Sequence, residues 1–328
     1  MPNQKFRWGI LGPGSIARSF ATGLAALPEH ELYAIGSRSK ERADAFAAQY
    51  GATKTYDSYE ALVADPNVDA IYASRPHTFH SEDALLCIRA GKPVLVEKPF
   101  AVNERQSREV IDAAREAKVF VMEAMWSRFI PITVLLRKLV AEGRIGEPRM
   151  IQADFGFRAG LNPEGRLFNL ALAGGGLLDV GVYPLSFSSM IFGEPAQVAS
   201  IADIGSTGVD EQAGVVLGHK GGQISLISTG VRINTLQEAV VLGTEGNIRL
   251  PAKFWNPRKL VINAGGKEEI IEIQVAGNGY EFEALEVAAN VRAGRIESES
   301  LPHSETVSII RTCDRIRSQW GLKYPVED

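Results

Sequence analysis

The sequence predicts two domains of different classes, an α/β domain with a doubly wound parallel sheet over residues 1–124 and an α+β domain with a mostly antiparallel sheet over residues 125–328. Three observations predict this division. The chain of 328 residues is longer than one hydrophobic core commonly serves. Short apolar runs alternate with helical patterns in the first third of the chain. Beyond residue 124, strand-like runs follow one another with only short turns between them.

The first domain contains five apolar runs: WGIL, LYAIGS, DAIYAS, PVLVEK and VFVMEA. They are apolar on both faces, as strands covered by helices on both sides require. A helical pattern follows each of the first four runs. The first of these helices stops before Pro28, while Ser39 caps the second and Gly51 ends it.

The second domain is predicted to begin with two helices, in PITVLLRKLVAEG and after AGGGLLDVG. Strand-like runs follow: QVASIADI, QAGVVLGHK, GQISLISTG, EAVVLGT, KLVINAG and EEIIEIQV. Two more helical patterns, near Tyr280–Ala293 and Ser304–Trp320, close the chain. A succession of strands joined by short turns is typical of a mostly antiparallel sheet.

The composition argues against several classes of protein. A net charge of −4 does not suit a nucleic-acid surface, and no apolar run approaches the roughly 18 residues of a membrane-spanning helix. The first ten residues lack the apolar segment of a secretory leader. Cys87 and Cys313 have neither metal-site nor disulfide-framework spacing. We therefore expect a cytoplasmic protein that binds neither nucleic acid nor membrane.

Residues 7–20, RWGILGPGSIARSF, place a glycine-rich turn at the junction of a strand and a helix. Gly12, Gly14 and Ala17 form G-x-G-x-x-A. In that context Gly12 makes the tight turn, Gly14 lets the backbone approach a pyrophosphate, and Ala17 permits close packing of helix on strand. The free N–H groups of the helix then face the negative charge. The pattern predicts dinucleotide binding, and the alternative is a glycine turn that binds nothing.

The end of the second strand distinguishes the two nicotinamide dinucleotides. NAD sites commonly have an acid there for the ribose 2′-hydroxyl, roughly 20 residues beyond the glycines. This chain has no acid between Glu31 and Glu41, and it places Arg38 and Arg42 at the start of the next helix. Because arginine pairs well with a phosphate, the sequence favours NADP over NAD. A solvated basic helix start is the alternative.

Two motifs supply candidate chemical groups. VLVEKPF ends a strand with Glu97 and Lys98, at the sheet edge where open α/β folds bind ligands, and a lysine there can act as a general acid or base. A surface lysine paired with Glu97 is the alternative. AGGGLLDVGVYP places Asp179 and Tyr183 four residues apart on one helix face, with Pro184 in the first turn. These two side chains either bind a hydroxyl and relay a proton with Lys98, or serve as a helix cap and a core tyrosine.

Other residues near the predicted strand ends also have two interpretations. His77 and His80 lie three apart on a loop, but without a third ligand in view such histidines more often bind backbone groups, and we expect no metal. Trp126 and Arg128, in MWSRF, follow the last parallel strand. They form either an aromatic wall for a ring substrate or part of the hydrophobic core.

GILGPGSIA, EKP and GGGLLDVGVY, in this order, resemble the glucose–fructose oxidoreductase and inositol dehydrogenase family, Gfo/Idh/MocA. EAMWSRFIP, GVYP, GVDEQ and YEFEA extend the resemblance across nearly the whole chain and are most similar to its branch of NADP-dependent dimeric dihydrodiol dehydrogenases and D-xylose 1-dehydrogenases. The resemblance implies a Rossmann domain, a second domain built on a large open sheet, and a homodimer formed through that sheet.

The resemblance also implies roles for individual residues. Lys98 and Tyr183 are the proton-transfer pair, and Asp179 positions Tyr183 or the substrate. Trp126 and Phe155 wall the substrate pocket, and the peptide bond after Lys98 is cis in relatives. The residues expected to bind the cofactor are Gly12, Gly14, Ser15, Ile16, Ser37, Arg38, Arg42, Ser74, Pro76, His77, Glu97, Lys98 and Arg128.

Two positions depart from the pattern of the family. Many members have histidine where this chain has Tyr183, which separates the chain from the inositol dehydrogenases. Relatives commonly have threonine, near the nicotinamide side of the cofactor, where this chain has Arg75. Two roles for Arg75 remain open: it alters the pocket, or it reaches a diphosphate.

These features predict an NADP-dependent oxidoreductase that transfers a hydride between nicotinamide and a hydroxyl-bearing carbon of a sugar or cyclic diol, of the aldose 1-dehydrogenase or trans-dihydrodiol dehydrogenase type. An NADPH-dependent ketosugar reductase would use the same residues in the other direction. A non-catalytic NADP-binding regulator has no need of Lys98, Asp179 and Tyr183 together. Sequence alone identifies neither the particular substrate nor the direction of hydride transfer.

Overall fold

A computed structural model of the chain describes residues 5–327, which form two compact units. The first unit contains the residues up to 101, residues 105–126 and residues 275–306. The second contains residues 102–104, residues 127–274 and the residues from 307 onward. The chain thus passes between units after residue 126, close to the predicted boundary at 124, but it also returns to the first unit near its end, which the sequence pattern does not indicate.

The first unit is built on six parallel strands with helices between them. The strands are β1 (Phe6–Leu11), β2 (His30–Gly36), β3 (Lys54–Tyr56), β4 (Ala70–Ala73), β5 (Val94–Glu97) and β6 (Val121–Ala124). The connecting helices are α1 (Ser15–Leu24), α2 (Lys40–Tyr50), α3 (Tyr59–Val63), α4 (His80–Arg89) and α5 (Glu104–Ala117). The sheet order is β3–β2–β1–β4–β5–β6, so the predicted α/β class with a doubly wound parallel sheet is confirmed.

Aromatic packing fixes α1 on this sheet. Phe20 of α1 stacks on Tyr72 of β4 with ring centroids 4.0 Å apart, and Trp8 of β1 meets Phe20 edge-on at 5.0 Å. All three side chains are fully buried. Because Phe20 follows the glycine turn directly on α1, this packing also fixes the direction in which the turn faces.

The second unit is built on eight strands. They are β7 (Pro148–Gly156), β8 (Gln197–Ile204), β9 (Asp210–Gly218), β10 (Ile224–Gly230), β11 (Ala239–Gly243), β12 (Gly246–Leu250), β13 (Lys259–Ala264) and β14 (Lys267–Glu272). Their order is β14–β13–β12–β11–β7–β10–β9–β8, and every pair is antiparallel except β7 with β10. The mostly antiparallel sheet confirms the prediction, although β7 and β12 are absent from the predicted strands.

Helices cover one face of the eight-stranded sheet. The helices that begin in this part of the chain are α6 (Pro131–Ala141) and α7 (Val182–Phe192), and α7 packs against β7 and β10. Buried residues alternate with exposed ones along β9 and β10, as a sheet with one covered face requires. α7 therefore lies directly on the centre of the sheet.

Residues 275–306 join the first unit through specific contacts. Helix α8 (Glu281–Arg292) packs on α1, where Asn278 donates its amide to the carbonyl of Ser19 at 2.8 Å. The segment then extends the β6 edge, because the Val121 N–H donates to the Ile296 carbonyl at 3.1 Å. Helix α9 (His303–Trp320) follows, with the His303 ring nitrogen Nε2 3.0 Å from the Val121 carbonyl oxygen. These contacts link segments far apart in sequence.

One sequence expectation about apolar runs is corrected. Within the described residues, Leu170–Phe192 is long and apolar enough to cross a membrane by length and composition alone, with a mean hydropathy of 1.4. However, 83% of the relevant window is buried inside the protein. A buried apolar segment of this kind is what a core helix requires, and this one contains α7.

Candidate active site

The glycine turn of the first unit joins β1 to α1. Gly12 has a φ of +88°, in the left-handed region, and a Cβ there would lie 2.8 Å from Cγ of Arg75. Gly14 is the N-cap of α1, and a Cβ there would meet only the Gly12 carbonyl oxygen, at 4.0 Å. Among the described residues no side chain caps this helix end. The turn leaves open space before uncapped N–H groups, starting with those of Ser15 and Ile16, which fits a dinucleotide diphosphate.

The junction of β2 and α2 holds the residues predicted to distinguish NADP from NAD. Ser37 is buried, and its hydroxyl accepts a hydrogen bond from the Ser39 N–H at 3.2 Å. Ser39 caps α2 as predicted, accepting from the Arg42 N–H at 3.3 Å. Arg38 and Arg42 are both exposed. Two exposed guanidinium groups beside a capped helix start suit a phosphate better than a ribose hydroxyl.

Arg75 makes contacts that the sequence does not indicate. Its Nε donates to both carboxylate oxygens of Asp83 at 2.8 Å, and its guanidinium lies over the rings of Phe79 and Tyr59, at 4.3 and 4.9 Å from their centroids. Asp83 is fully buried, and burial raises its pKa to about 6 against the opposing effect of Arg75. The arginine is thus neutralised and packed under the glycine turn, where its Cγ excludes a side chain at Gly12.

The end of β4 is tied to both neighbouring strand ends. The Ser74 hydroxyl donates to the Gly12 carbonyl at 2.9 Å. Pro76 precedes a short 3₁₀ turn, His77–Phe79, in which His77 is buried. The two ring nitrogens of His80 lie 2.7 Å from the Pro99 carbonyl oxygen and 2.8 Å from the Arg75 carbonyl oxygen. Burial lowers the pKa of His80 to about 4, so the neutral ring donates to one carbonyl and braces the loop.

His77 and His80 do not belong to a cluster of potential metal ligands within the described residues. In residues 5–327 no group of three or more histidine, cysteine, aspartate and glutamate side chains is placed to hold a metal ion. Both nitrogens of His80 face backbone carbonyls instead.

Lys98 follows β5 and is half-buried. The peptide bond between Lys98 and Pro99 is cis, as the resemblance implies. Oε2 of Glu97 accepts from the backbone N–H of Lys98 at 3.0 Å, and the Tyr72 hydroxyl donates to Oε1. Glu283 is fully buried, and burial followed by the charge of Glu97 raises its pKa well above the usual range. Glu97 thus fixes the backbone from which the Lys98 side chain extends.

Trp126 lies in the first unit and stacks on Tyr280, with ring centroids 4.4 Å apart and planes at 17°. Both side chains are mostly buried. Sequence reasoning missed Tyr280 as a site residue, although it belongs to the YEFEA motif. The stacking of Trp126 on Tyr280 depends on the return of residues 275–306 to the first unit.

Asp179 and Tyr183 lie on a helix of the second unit with an irregular start. A π turn, Leu177–Gly181, carries Asp179 and runs directly into α7, which carries Tyr183. Pro184 lies in the first turn of α7, as predicted. Asp179 and Tyr183 are both buried. Single π turns of this kind recur at functional sites, because they redirect a side chain within a helix.

Asp210 holds the start of this helix. Its Oδ2 accepts from the Leu177 N–H at 2.6 Å, and its carboxyl group also accepts from the Gly176 N–H. Gly175 has a φ of +114°, and a Cβ there would collide with Oδ1 of Asp210. Gly175 and Gly176, two of the three glycines, therefore make room for the Asp210 side chain or bond to it. Asp210 belongs to the GVDEQ motif and was not predicted as a site residue.

The end of the chain reaches the same turn. Tyr324 is fully buried, and its hydroxyl donates to the Gly174 carbonyl at 3.0 Å. The guanidinium of Arg317 lies 4.7 Å from the Tyr324 ring centroid and donates to both carboxylate oxygens of Glu327, at 2.7 and 2.9 Å. This network gives the glycine turn a second attachment, at Gly174, besides the bonds to Asp210.

An aromatic cluster surrounds Tyr183 in the second unit. Phe155 of β7 lies 5.4 Å from the Tyr183 ring, and Trp255 stacks on Phe155 at 3.5 Å with planes at 6°. Phe254 meets Phe155 and Trp255 edge-on, at 6.4 and 5.7 Å. Trp255 is only partly buried. Sequence reasoning included Phe155 but missed Phe254 and Trp255, which lie between two strands in the run KFWNP.

Arg128 is buried in the second unit against α7. Its Nε donates to the Ser186 hydroxyl and its Nη2 to the Ser186 carbonyl, both at 2.8 Å. Ser186 lies one turn beyond Tyr183. The cofactor-binding role expected for Arg128 stays a prediction, while its packing role on the helix of Tyr183 is clear.

The predicted site residues fall into two groups. The first unit contains the glycine turn, the arginines at the start of α2, Lys98 and Trp126. The second contains Asp179, Tyr183, Phe155 and Arg128.

Two family models match the chain. The oxidoreductase family with an NAD-binding Rossmann fold (GFO_IDH_MocA) covers residues 6–125, and the GFO/IDH/MocA C-terminal domain covers residues 133–249. The chain belongs to the Gfo/Idh/MocA family. The resemblance carried by its motifs is thereby confirmed, and the protein is an oxidoreductase.

Curated relatives of this family member are dehydrogenases. Mouse trans-1,2-dihydrobenzene-1,2-diol dehydrogenase is 38% identical over 331 residues, which span 97% of this chain and 98% of the mouse protein. The human protein of the same name is 35% identical over 329 residues, again with 97% and 98% covered.

Solved structures share the fold over nearly the whole chain. The aldose–aldose oxidoreductase from Caulobacter crescentus has a TM-score of 0.89 at 24% identity and covers 97% of this chain and 98% of its own. A 3-ketoreductase from Actinomadura kijaniata, crystallised with NADP and TDP-benzene, has a TM-score of 0.86 at 24% identity, with 96% and 98% covered. At these identities the two structures establish a common fold only.

Replacing Asp210 by asparagine is expected to change how stability depends on pH. Burial raises the pKa of Asp210 to about 7, so between about pH 4 and pH 7 the folded chain keeps a proton that the unfolded chain releases. The proton on Asp210 therefore stabilises the folded chain fully below about pH 4, and this stabilisation is lost as the pH rises through about 7. The thermal midpoint of the wild type minus that of Asp210→Asn should therefore decrease between pH 5 and pH 8. Parallel curves would contradict the assignment, and Glu268→Gln, an exposed carboxylate of β14, is the matched control.

Proposed function

We propose that the chain is an NADP-dependent dehydrogenase that oxidises a ring hydroxyl of a cyclic diol or a sugar. The observation that carries this proposal is the placement of Asp179 and Tyr183, one turn apart on a π-distorted helix inside an aromatic cluster. The names of the curated relatives, trans-1,2-dihydrobenzene-1,2-diol dehydrogenases, support a cyclic diol as substrate. The name of the aldose–aldose oxidoreductase supports a sugar.

The first unit would hold the cofactor. The uncapped N–H groups after Gly14 would bind the diphosphate, and Arg38 and Arg42 would bind the 2′-phosphate that distinguishes NADP from NAD. A fold relative crystallised with NADP supports this assignment. When bound, the nicotinamide supplies a hydride acceptor or donor at its C4.

Proton transfer would fall to Lys98 and Tyr183. In oxidation, the substrate carbon loses its hydrogen as a hydride, and the hydroxyl oxygen loses its proton to this pair as the C=O bond forms. Asp179 would accept a hydrogen bond from the Tyr183 phenol or from the substrate hydroxyl and so hold the reacting group in place. Reduction of a ketone would reverse each of these transfers.

The aromatic cluster would bind the ring of the substrate. Phe155 is buried and Trp255 partly exposed, and their rings stack beside Tyr183. Aromatic faces of this kind pack against the C–H faces of sugar rings and against unsaturated carbon rings. Both candidate substrates, a cyclic diene diol and a sugar, present such faces.

The arginines of the first unit should set the choice of cofactor. Arg38→Ala and Arg42→Ala should each weaken NADP⁺ binding by roughly tenfold or more, since each removes a charge-assisted hydrogen bond to a phosphate, and NAD⁺ binding should not change. Tryptophan-fluorescence titration with both nucleotides measures this. Arg89→Ala, an exposed arginine at the end of α4, is the control and should change neither affinity. Equal losses for NADP⁺ and NAD⁺ would rule out a 2′-phosphate contact.

Lys98→Met and Tyr183→Phe should each lower kcat by roughly 10²- to 10⁴-fold, because each removes a proton-transferring group and leaves the fold intact. The measurement is the formation of reduced nicotinamide with trans-dihydrodiols and aldoses. Lys118→Met, on an exposed turn, and Tyr50→Phe, at the end of α2, are the matched controls and should keep wild-type rates. Wild-type turnover in the Lys98→Met variant would remove the lysine from the mechanism.

We also propose a homodimer formed through the uncovered face of the eight-stranded sheet. Val216 of β9 and Leu226 of β10 are directly paired on this face and are 44% and 37% exposed. Ile201 of β8 lies on the same face and is 82% exposed. Adjacent exposed apolar side chains of this kind mark protein–protein interfaces.

Charge placed on this face should separate the subunits. Ile201→Lys and Leu226→Lys each introduce a cation that would have to be buried in a dimer, so the mass in solution at micromolar concentration should fall by half. Light scattering after size-exclusion chromatography measures it. Leu285→Lys, on an exposed position of α8, should leave the mass unchanged. A wild-type chain that is already monomeric would contradict the proposed dimer.

A further inference from the structure

Asp179 forms an ion pair with Arg166, a residue outside every motif that sequence reasoning singled out. Nη1 of Arg166 donates to Oδ1 of Asp179 at 2.8 Å. The carboxylate is 5% exposed and the guanidinium 55% exposed. A carboxylate buried to this extent stays charged only when opposite charge or hydrogen-bond donors replace the lost water. Arg166 supplies that charge from a position in contact with solvent.

The backbone that carries Arg166 is fastened to the helix start of Asp179. The Gly175 N–H donates to the Leu167 carbonyl at 2.9 Å. A Cβ on Gly174 would lie 2.8 Å from the Arg166 carbonyl oxygen, so only glycine permits this approach. The backbone segments that carry Arg166 and Asp179 are therefore fixed to each other, unlike those of a flexible surface ion pair.

We propose that Arg166 is a positioning residue of the active site, which keeps Asp179 ionised and oriented as a hydrogen-bond acceptor during turnover. This inference rests on the proposed function. An ionised Asp179 can accept a hydrogen bond from the Tyr183 phenol or from a substrate hydroxyl. A protonated Asp179 would lose its negative charge and would be a weaker acceptor for that hydroxyl, so turnover would slow.

A second arginine of the same unit provides a matched comparison. Arg249 of β12 pairs with Glu238 at 3.2 Å, and their side chains are 44% and 32% exposed. Neither partner of this pair is buried, so its removal should have little effect. The two pairs have comparably exposed arginines and differ in the burial of the carboxylate.

The test compares pH profiles of kcat and KM for the wild type, Arg166→Met, Arg166→Lys and Arg249→Met with a substrate that the wild type oxidises. Arg166→Met should lose roughly 10- to 100-fold in kcat near neutral pH, and the acidic limb of its profile should move to higher pH. Affinity for NADP⁺ should stay within about twofold. Arg166→Lys should recover part of the kcat and return the acidic limb of the profile toward that of the wild type. Arg249→Met should match the wild type in kcat and in the position of the acidic limb.

A spectroscopic measurement separates ionisation from turnover. The infrared carboxylate band of isotope-labelled Asp179 is assigned by its loss in Asp179→Asn. As the pH is lowered, this band should disappear at a higher pH in Arg166→Met than in the wild type. Thermal midpoints of all variants verify folding. Should Arg166→Met fail to fold, Arg166→Gln, which keeps a donor without the charge, is expected to show the same two shifts.

The outcomes distinguish this inference from the proposed function. If Arg166→Met keeps the wild-type rate and profile while Asp179→Asn is inactive, the role of Arg166 is overturned and the proposed function stands. If Asp179→Asn turns over as fast as the wild type, the assignment of Asp179 in the proposed function fails, and the role of Arg166 fails with it.

Discussion

The arrangement of the second unit depends on one buried carboxylate. Asp210 accepts the N–H groups that begin the helix of Asp179 and Tyr183, and it does so at a turn where only glycine leaves room for it. Burial disfavours the charged form of this group, and the hydrogen bonds that it accepts from backbone N–H groups offset only part of that effect. Tyr324 holds the same turn through the Gly174 carbonyl, so the start of the helix is fixed at two places. The π turn that carries Asp179 begins at Leu177, whose N–H donates to Asp210.

The first unit uses the same principle at the strand end that carries Lys98. Glu97 bonds the backbone N–H of the lysine, and the neutral ring of His80 lies between two carbonyls, one of them that of Pro99. Arg75, in turn, is neutralised by Asp83 beneath the glycine turn. In both units, buried polar groups fix the backbone of a candidate catalytic side chain through neighbours in the structure rather than through the side chain itself.

Local patterns predicted the parts of the site that depend on a few consecutive residues. The strand, glycine turn and helix around Gly12 are contiguous, and the spacing of Asp179 and Tyr183 needs only one helical turn. The contacts of Asp210 and Arg166 could not be predicted, since each joins residues 13 or more positions apart. Strand β7, which carries Phe155 at the centre of the second sheet, was also missed. Residues 151–155 of this strand do alternate between buried apolar and more exposed polar side chains, so the sequence carries the pattern of a half-buried strand.

The long apolar run shows the same limit in another way. Leu170–Phe192 is as apolar as a membrane segment because most of it, including much of α7, is buried inside the protein. The composition of a helix indicates that its surroundings are apolar, but it does not distinguish a protein core from a membrane. Only the packed structure separates the two cases.

The proposed function requires this oxidoreductase to remove the carbinol hydrogen of a ring hydroxyl as a hydride. The most direct test is one turnover of wild-type protein with NADP⁺ and a cyclic diol or aldose that carries deuterium on the reacting carbon. We expect deuterium at C4 of the reduced nicotinamide, on one face only, and a rate slowed by the isotope where hydride transfer limits turnover. Reduced cofactor without deuterium, or product without reduced cofactor, would contradict it.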